Sequence, residues 1–254
     1  MAESSKKLTN QSSQFPRFYV TAPTACPYLE GKVERKVFTE LNDINPGALN
    51  QSLAKIGFRR SQDIAYRPSC ENCTECKSVR IPAASFRPNR TQRRLIRIND
   101  DLLAERLPNI ATHEHYDLLS KYLTKRHAEG GMTNMTFDEY VSMVEACPVD
   151  SCLIEYRLTQ KEGGPDKLIA VTLTDIMSHG LSMVYSYFDV SDDYKKRSIG
   201  TYIILDHVAR ARLLGLDHVY LGYWVKGSPK MAYKKNFQPL EVLEPEGWFP
   251  SDRI

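Results

Sequence analysis

The chain has 254 residues, of which 42% are hydrophobic, 26% charged and 10% aromatic. That suits one large or two modest domains with a real core, and it excludes a disordered chain or a disulfide scaffold resting on only six cysteines. The polar N-terminus, MAESSKKLTNQSSQ, lacks the apolar run of a secretory signal, and no stretch approaches the roughly 18 apolar residues of a spanning helix. A cytoplasmic protein is expected.

The net charge of +3 is unevenly spread. From Arg59 to Arg97 there are ten basic residues (Arg59, Arg60, Arg67, Lys77, Arg80, Arg87, Arg90, Arg93, Arg94 and Arg97) against three acidic ones (Asp63, Glu71 and Glu75), so the remainder is net negative. A basic segment of this kind is the electrostatic footprint of a polyanion surface, because phosphate contacts release counterions. A solvated basic face is the plainer reading.

In chain order, residues 1–14 read as a flexible tail, and FPRFYVT as a short strand. Cys26-Pro27-Tyr28-Leu29 with Gly31 marks a turn, KVERKVFTEL alternates like a strand in its first half, and Pro46 to Ile56 has the spacing of a short helix ending at Gly57. Beyond Asn99 the elements lengthen. Helices are expected from Thr112 to Ala128, stopped by Gly130-Gly131, and from Phe137 to Ala146. Strands are expected over Ser151 to Leu158, Leu168 to Met177 and Leu181 to Asp189, joined at Glu162-Gly163-Gly164-Pro165 and Ser178-His179-Gly180 as an antiparallel meander. A helix from Ile199 to Leu214, a strand from Asp217 to Tyr223, a helix from Pro229 to Asn236 and a strand near Leu240 to Leu243 complete the chain.

The order helix, helix, three strands, helix, strand, helix, strand resembles the Gcn5-related N-acetyltransferase fold. The expected class is α+β: a small N-terminal α+β domain over residues 15–98, then an acetyltransferase-like mixed sheet flanked by helices over residues 99–254.

At the junction Asp189 to Thr201 the run Arg197-Ser198-Ile199-Gly200-Thr201 resembles the acyl-coenzyme loop of acetyltransferases, where glycine-rich backbone at a helix N-terminus cradles a pyrophosphate. Ser198 stands where that loop has its first glycine, which counts against a coenzyme. The same loop suits the phosphate or ribose of a tRNA acceptor end, with Arg197, Ser198, Gly200 and Thr201 as contacts. Tyr185, Tyr187, Tyr223, Tyr233, Lys230 and Lys234 interleave aromatics with lysines, a pattern that can stack on a base and pair with phosphate, or simply fill a core.

Cys70-x-x-Cys73-x-x-Cys76 is a moderately specific metal pattern that Cys26 could complete to four thiolates for zinc or an iron–sulfur cluster; a reduced thiol patch is the alternative. Cys147 and Cys152 read as packing residues.

Several stretches together resemble the arginyl-tRNA-protein transferases. Tyr185-Ser186-Tyr187-Phe188-Asp189, Ser198-Ile199-Gly200-Thr201-Tyr202 and Gly222-Tyr223-Trp224 through Pro229-Lys230-Met231-Ala232-Tyr233-Lys234 look like the family's C-terminal signature. Phe18-Tyr19-Val20 to Cys26-Pro27-Tyr28, Phe58-Arg59-Arg60-Ser61, Tyr66-Arg67-Pro68-Ser69-Cys70 and Phe86 to Arg94 resemble the N-terminal half of its bacterial branch, the aspartate/glutamate leucyltransferases. The resemblance runs from about Phe18 to Leu243. It implies transfer of leucine from leucyl-tRNA to proteins beginning with Asp or Glu, which creates a degradation signal, with no cofactor required.

An aminoacyl ester is already activated, so no dedicated nucleophile is needed and positioning should dominate. Tyr223, Lys230 and Tyr187 are the candidate catalytic groups, Tyr223 and Lys230 as donors to a developing oxyanion. Tyr185, Tyr233 and Lys234 join the loop in holding the charged end. Arg90, Arg93, Arg94 and Arg97, at helical spacing, are expected on the tRNA backbone. Arg80, Arg67 and Lys77 are expected to receive the acidic N-terminus, since a guanidinium grips a carboxylate bidentately. The alternatives are an acetyl-coenzyme-dependent N-acetyltransferase and a non-catalytic RNA-binding protein with structural zinc.

Overall fold

A computed structural model describes residues 16–42, 44–126, 132–159 and 166–253. The expected tail 1–14, the Gly130-Gly131 stop and the Glu162 to Pro165 connection lie outside the described residues.

The N-terminal part supplies β1 (Tyr19–Val20), β2 (Thr24–Ala25), β3 (Val33–Glu34), β4 (Lys36–Glu40), α1 (Pro46–Lys55), β5 (Arg59–Ser61) and β6 (Ile64–Pro68). β2 and β3 form a ribbon, and the other strands make a four-stranded antiparallel sheet in the order β1-β4-β6-β5. Asn45 accepts the Ala48 amide to cap α1, and Pro46 opens the helix where no amide donor is needed.

The chain continues through β7 (Cys76–Pro82), α2 (Arg90–Ile98), β8 (Leu102–Leu107), α3 (His113–Arg126), α4 (Phe137–Glu145), β9 (Ser151–Leu158), β10 (Lys167–Met177), β11 (Gly180–Phe188), α5 (Ile199–Leu213), β12 (His218–Val225), β13 (Glu241–Glu244) and β14 (Gly247–Pro250). Short 3₁₀ segments occupy Asp192–Arg197, Pro229–Asn236 and Ser251–Arg253. The expected last helix is thus 3₁₀, and β2, β5, β6, β7, β8 and β14 have no counterpart among the expected elements.

The second sheet has eight strands in the order β14-β13-β7-β12-β11-β10-β9-β8. The meander β9, β10, β11 is antiparallel, and α5 then returns the chain so that β12 runs parallel to β11. The fold is α+β, as expected. The boundary near residue 98, however, does not separate two sheets. β7, which lies N-terminal to it, pairs with β12 on one side and β13 on the other, in the middle of the larger sheet. Sequence proximity placed it with the first unit; long-range pairing, which no local pattern records, places it in the second.

β10 is buried on both faces, which is why it reads as a nearly continuous apolar run rather than an alternation. Leu173 and Val171 pack with Leu118, Leu119 and Leu123 of α3 and Tyr140 and Val144 of α4. On the opposite face Ile169 and Ala170 pack with Ile199 and Ile203 of α5. The same helix turns Ile204, Leu205 and Val208 onto Val79 and Ile81 of β7 and Val219 of β12. α5 therefore seals the sheet across the junction of β11 and β12. His207 of α5 is fully buried; it meets the Ile203 carbonyl through Nδ1 and the Thr174 hydroxyl through Nε2, and burial holds it neutral.

The two sheets are joined by ionic and polar contacts. Arg60 of β5 is wholly buried against Asp175 of β10, with Nε and Nη2 bonded to the carboxylate at 2.7–2.9 Å and Nη1 donating to the Gln62 carbonyl. Trp248 Nε1 donates to the Lys55 carbonyl, and the Tyr223 hydroxyl meets the carbonyls of Gly57 and Tyr66 at 2.9 and 3.1 Å. Removing one member of a buried ion pair strands the other charge, which typically costs about 3–5 kcal/mol, whereas an apolar pair is often tolerated. Urea unfolding of Arg60→Met should show a loss of that order, and Arg60→Met combined with Asp175→Leu should recover most of it.

Candidate functional site

β11 and β12 pair only over Gly180 to Ser182 against His218 to Tyr220. β11 then continues to Phe188 beside β10, and β12 to Val225 beside β7, so the sheet splits along its middle. Both strands carry an irregularity where they part: Val184 is extra in β11 between the Thr174–Met183 and Leu173–Tyr185 pairs, and the β12 register shifts between Tyr220 and Gly222. Such bulges bend strands and re-aim side chains beside a site. Backbone groups along the two facing edges have lost their ladder partners and must be satisfied otherwise.

Two buried cations do this. Arg59, 8% exposed, reaches from β5 and donates through Nη2 to the Met183 carbonyl of β11 at 2.5 Å. Lys234, 4% exposed, donates through Nζ to the Tyr223 carbonyl of β12, also at 2.5 Å. Gly222 lies beside the guanidinium: its φ of +82° is left-handed backbone that favours glycine, and a Cβ there would be in ordinary contact with Arg59 Nε at 3.5 Å. Neither cation forms an ion pair among the described residues. Asp175 acts on Arg59 from a distance, but its oxygens are bonded to Arg60. Burial, with Arg59 adding repulsion, pulls the Lys234 ammonium down to about 7, and burial lowers Arg59 as well.

Aromatics surround the split. Tyr185, on the parted length of β11, is half-buried, and burial beside the Tyr122 hydroxyl of α3 pushes its phenol up to about 12. Tyr233, still 45% exposed, lies close enough to Tyr122 and Arg59 for both to act on its hydroxyl. The structure thus places Tyr185, Tyr233 and Lys234 around one split, together with Arg59, Gly222 and Tyr122. Lys230 is exposed on the same 3₁₀ segment as Lys234.

Two residues expected to be catalytic point elsewhere. Tyr223 commits its proton to the Gly57 and Tyr66 carbonyls, and burial raises its phenol far above the usual range, so it ties β12 to the N-terminal sheet and offers no donor to an oxyanion. Tyr187 is 2% exposed and shares a 2.6 Å hydroxyl contact with Tyr140 in the core beneath α4.

At the head of α5, Ser198 adopts φ 48°, ψ 51°, left-handed backbone of the kind that glycine takes without strain. The backbone shape survives the substitution at the steric cost of a Cβ in that region. Gly200 lies against Phe188, where a Cβ would come within 3.0 Å of the ring, and Thr201 is half-buried in the first turn. Arg197 turns away from the helix start: it pairs with Asp101 at 2.6 and 2.8 Å and donates to the Ile98 carbonyl.

Of the cations expected to grip an acidic group, Arg80 is bonded to Glu241 at 2.6 Å and lies 4.1 Å from the Trp248 ring centroid, while Lys77 is bonded to Glu244 at 2.7 Å. Both already hold a carboxylate of this chain. Arg67 is exposed over the Phe58 ring and donates to the Ile56 carbonyl. Cross-sheet pairing of β7 with β13 thus already supplies partners to Arg80 and Lys77, though not to Arg67, and Arg59 and Lys234 are buried cations without an ion pair among the described residues.

Arg90, Arg93, Arg94 and Arg97 are all exposed on α2, whose opposite face buries Gln92 and Leu95. Gln92 donates to the Asn236 carbonyl at the end of the Lys234 segment, and Asn99 donates to the Arg197 carbonyl ahead of α5. The basic helix is therefore anchored at its two ends to the two segments that flank the split.

Cys26, Cys70 and Cys73 gather near Cys76, whose thiol is pushed up to about 12 by burial and then by these neighbours. All four are half-buried free thiols, and no group of three or more Cys, His, Asp or Glu among the described residues is arranged to hold a metal ion. Cys152 is buried, and the Cys147 thiol contacts the Ser151 hydroxyl.

Family models described as the arginine-tRNA-protein transferase N terminus and C terminus match residues 24–94 and 114–244. A curated aspartate/glutamate leucyltransferase of Sphingopyxis alaskensis is 51% identical over 246 residues, 95% of each chain. One from Sphingomonas elodea is 52% identical over 236 residues, 93% of this chain and 90% of the relative, and one from Caulobacter vibrioides is 50% identical over 232 residues, 91% and 82%. Among solved structures FemX superposes with a TM-score of 0.52 at 10% identity over 92% of this chain and 87% of its own, a likeness of fold alone.

Tyr223→Phe would remove the single proton that the Gly57 and Tyr66 carbonyls share, a loss of about 1–3 kcal/mol. The variant should unfold at lower urea concentration and keep at least about a tenth of wild-type turnover, the residue of a positioning and not a chemical role.

Proposed function

The chain belongs to the arginine-tRNA-protein transferase family and is an aminoacyl-tRNA-protein transferase, and from that premise we propose that it moves leucine from leucyl-tRNA to the N-terminal α-amine of proteins that begin with Asp or Glu. The observation that carries this reading is the identity of about half, over more than nine-tenths of the chain, with relatives that bear that name. The cytoplasm, where leucyl-tRNA is found, is the proposed location, and a destabilising N-terminal leucine is the proposed output. No helix among the described residues is long and apolar enough to cross a membrane.

The split sheet suits the reaction. The amine nitrogen adds to the ester carbon, the carbon–oxygen bond to the ribose breaks, and the amine proton leaves with the freed ribose hydroxyl, giving a leucyl-peptide and uncharged tRNA. An α-amine with a pKa of about 7.7 to 8.0 is partly neutral at cellular pH and the ester is already activated, so positioning supplies most of the rate and no cofactor is needed. In this reading Tyr185 and Tyr233 flank the aminoacyl end, the Ile199 and Gly200 amides at the head of α5, with the Ser198 and Thr201 hydroxyls, meet its last phosphate, and the arginines of α2 follow the acceptor stem. Lys230, exposed beside Lys234, is left as the candidate side-chain donor to the oxyanion.

Incubation with labelled leucyl-tRNA or arginyl-tRNA and peptides that begin with Asp, Glu, Lys or Arg should label only the acidic peptides, and only with leucine. Label from arginyl-tRNA, or on the basic peptides, would overturn the assignment. Replacing Arg90, Arg94 and Arg97 with Gln should lower the slope of log K for leucyl-tRNA against log salt by roughly 0.7–0.9 per lost phosphate contact. An unchanged slope removes α2 from the interface.

A further inference from the structure

β5 buries two consecutive arginines, and their contrast is informative. Arg60 has a full set of acceptors: both oxygens of Asp175 and the Gln62 carbonyl. Arg59, equally enclosed, has one neutral acceptor, the Met183 carbonyl, and among the described residues no other hydrogen bond from its guanidinium. Lys234 repeats the pattern across the split, with three N–H donors and one carbonyl. Burying a cation without a counter-charge is expensive, and two side by side more so, because each raises the cost of the other. A neutral side chain would satisfy a carbonyl as well. The cost is explained if an anion completes the site during function.

We propose that Arg59 and Lys234, converging from opposite edges of the split between β11 and β12, form the receptor for the side-chain carboxylate of the acceptor's N-terminal Asp or Glu. The inference rests on the proposed reaction and names the residues that give it its acidic specificity. Three observations favour a carboxylate on the acceptor over a phosphate of the tRNA. The exposed arginines of α2 and the helix start at Ser198 already provide for phosphate at the surface, whereas Arg59 and Lys234 are more than nine-tenths buried and suit a small group at the end of a short side chain. Of the cations that the sequence offered for this role, Lys77 and Arg80 already hold Glu244 and Glu241. Arg59 retains free donors on a planar fork that matches two carboxylate oxygens, and the Lys234 ammonium adds a point charge.

The site also accounts for discrimination between Asp and Asn. An amide presents the same shape but leaves both cations uncompensated, and rejection of a ligand that strands buried polar groups is far stronger than rejection by size. The groups that face Lys234 are Arg59, the Tyr223 carbonyl and the Tyr233 ring, whose centroid is 5.9 Å from Nζ. None of them is an anion. A carboxylate bound there therefore shifts Lys234 back toward the ordinary lysine value of about 10.4.

Two measurements test this. In steady-state kinetics Lys234→Met should lower kcat/KM for an Asp-initiated peptide about 100-fold or more, as loss of one member of a buried charge contact does. It should bring the Asp-to-Asn preference close to unity and leave the KM for leucyl-tRNA within about twofold, and Lys234→Arg should restore part of the preference. Retained leucyl-tRNA binding shows that the variant is folded and that the family reaction stands. A rise in the leucyl-tRNA KM with the Asp preference intact would assign the pair to a tRNA phosphate and overturn the proposal. In the wild-type protein, nitrogen NMR of the Lys234 ammonium should report a raised pKa on saturation with an Asp-initiated dipeptide and no change with its Asn counterpart. The same response to both dipeptides, or to neither, overturns it independently of any variant.

Discussion

The parting of β11 from β12 after three residue pairs is the constraint on which the rest of the molecule depends. A split sheet exposes two backbone edges to an interior from which water is largely removed, and unpaired carbonyls there cost as much as lost hydrogen bonds. The protein answers with charge. Arg59 caps the Met183 carbonyl and Lys234 the Tyr223 carbonyl, so the wedge stays open but not unsatisfied. The position of the N-terminal sheet follows, because Arg59 must enter from β5, and its neighbour Arg60 must then find Asp175 on β10. Gly222, in left-handed backbone, and the two strand irregularities are the local departures from a regular ladder beside the guanidinium.

The basic segment of the sequence consequently divides into three kinds of cation. Arg60, Lys77 and Arg80 are matched by carboxylates of Asp175, Glu244 and Glu241 and hold strands together. Arg90, Arg93, Arg94 and Arg97 stand in solvent on α2, where a polyanion could meet them. Arg59 belongs to neither group, being buried and without a carboxylate bonded to it. A single excess of charge along the chain therefore reports an architectural, a surface and a site component at once, and only the last two bear on ligands.

The loop before α5 shows the difference between conserving a backbone shape and conserving a residue type. Ser198 takes the left-handed conformation with a side chain in place, so the helix start keeps its geometry while losing the space that a glycine would leave. Arg197, which the motif puts beside that loop, is drawn off by Asp101 and the Ile98 carbonyl. In the proposed reading, anion contact at the head of α5 therefore falls to backbone amides and not to a guanidinium.

Much of the C-terminal half was fixed by local pattern. Ser151–Leu158, the Ser178-His179 hairpin and the start of α5 at Ile199 follow from apolar periodicity and turn chemistry that act within a few residues. The α+β class and the helical spacing of the α2 arginines were legible in the same way. What only the tertiary structure decided is pairing over long sequence distances: β7 inside the larger sheet, Arg80 and Lys77 on β13 carboxylates, Tyr223 turned to Gly57 and Tyr66, Tyr187 to Tyr140. A sequence shows which side chains carry charge or a hydroxyl. Whether each one is spent on a partner or left for a ligand depends on what lies across the sheet 100 or more residues away, as 115 residues separate Arg60 from Asp175, and that is settled only when the strands find their neighbours.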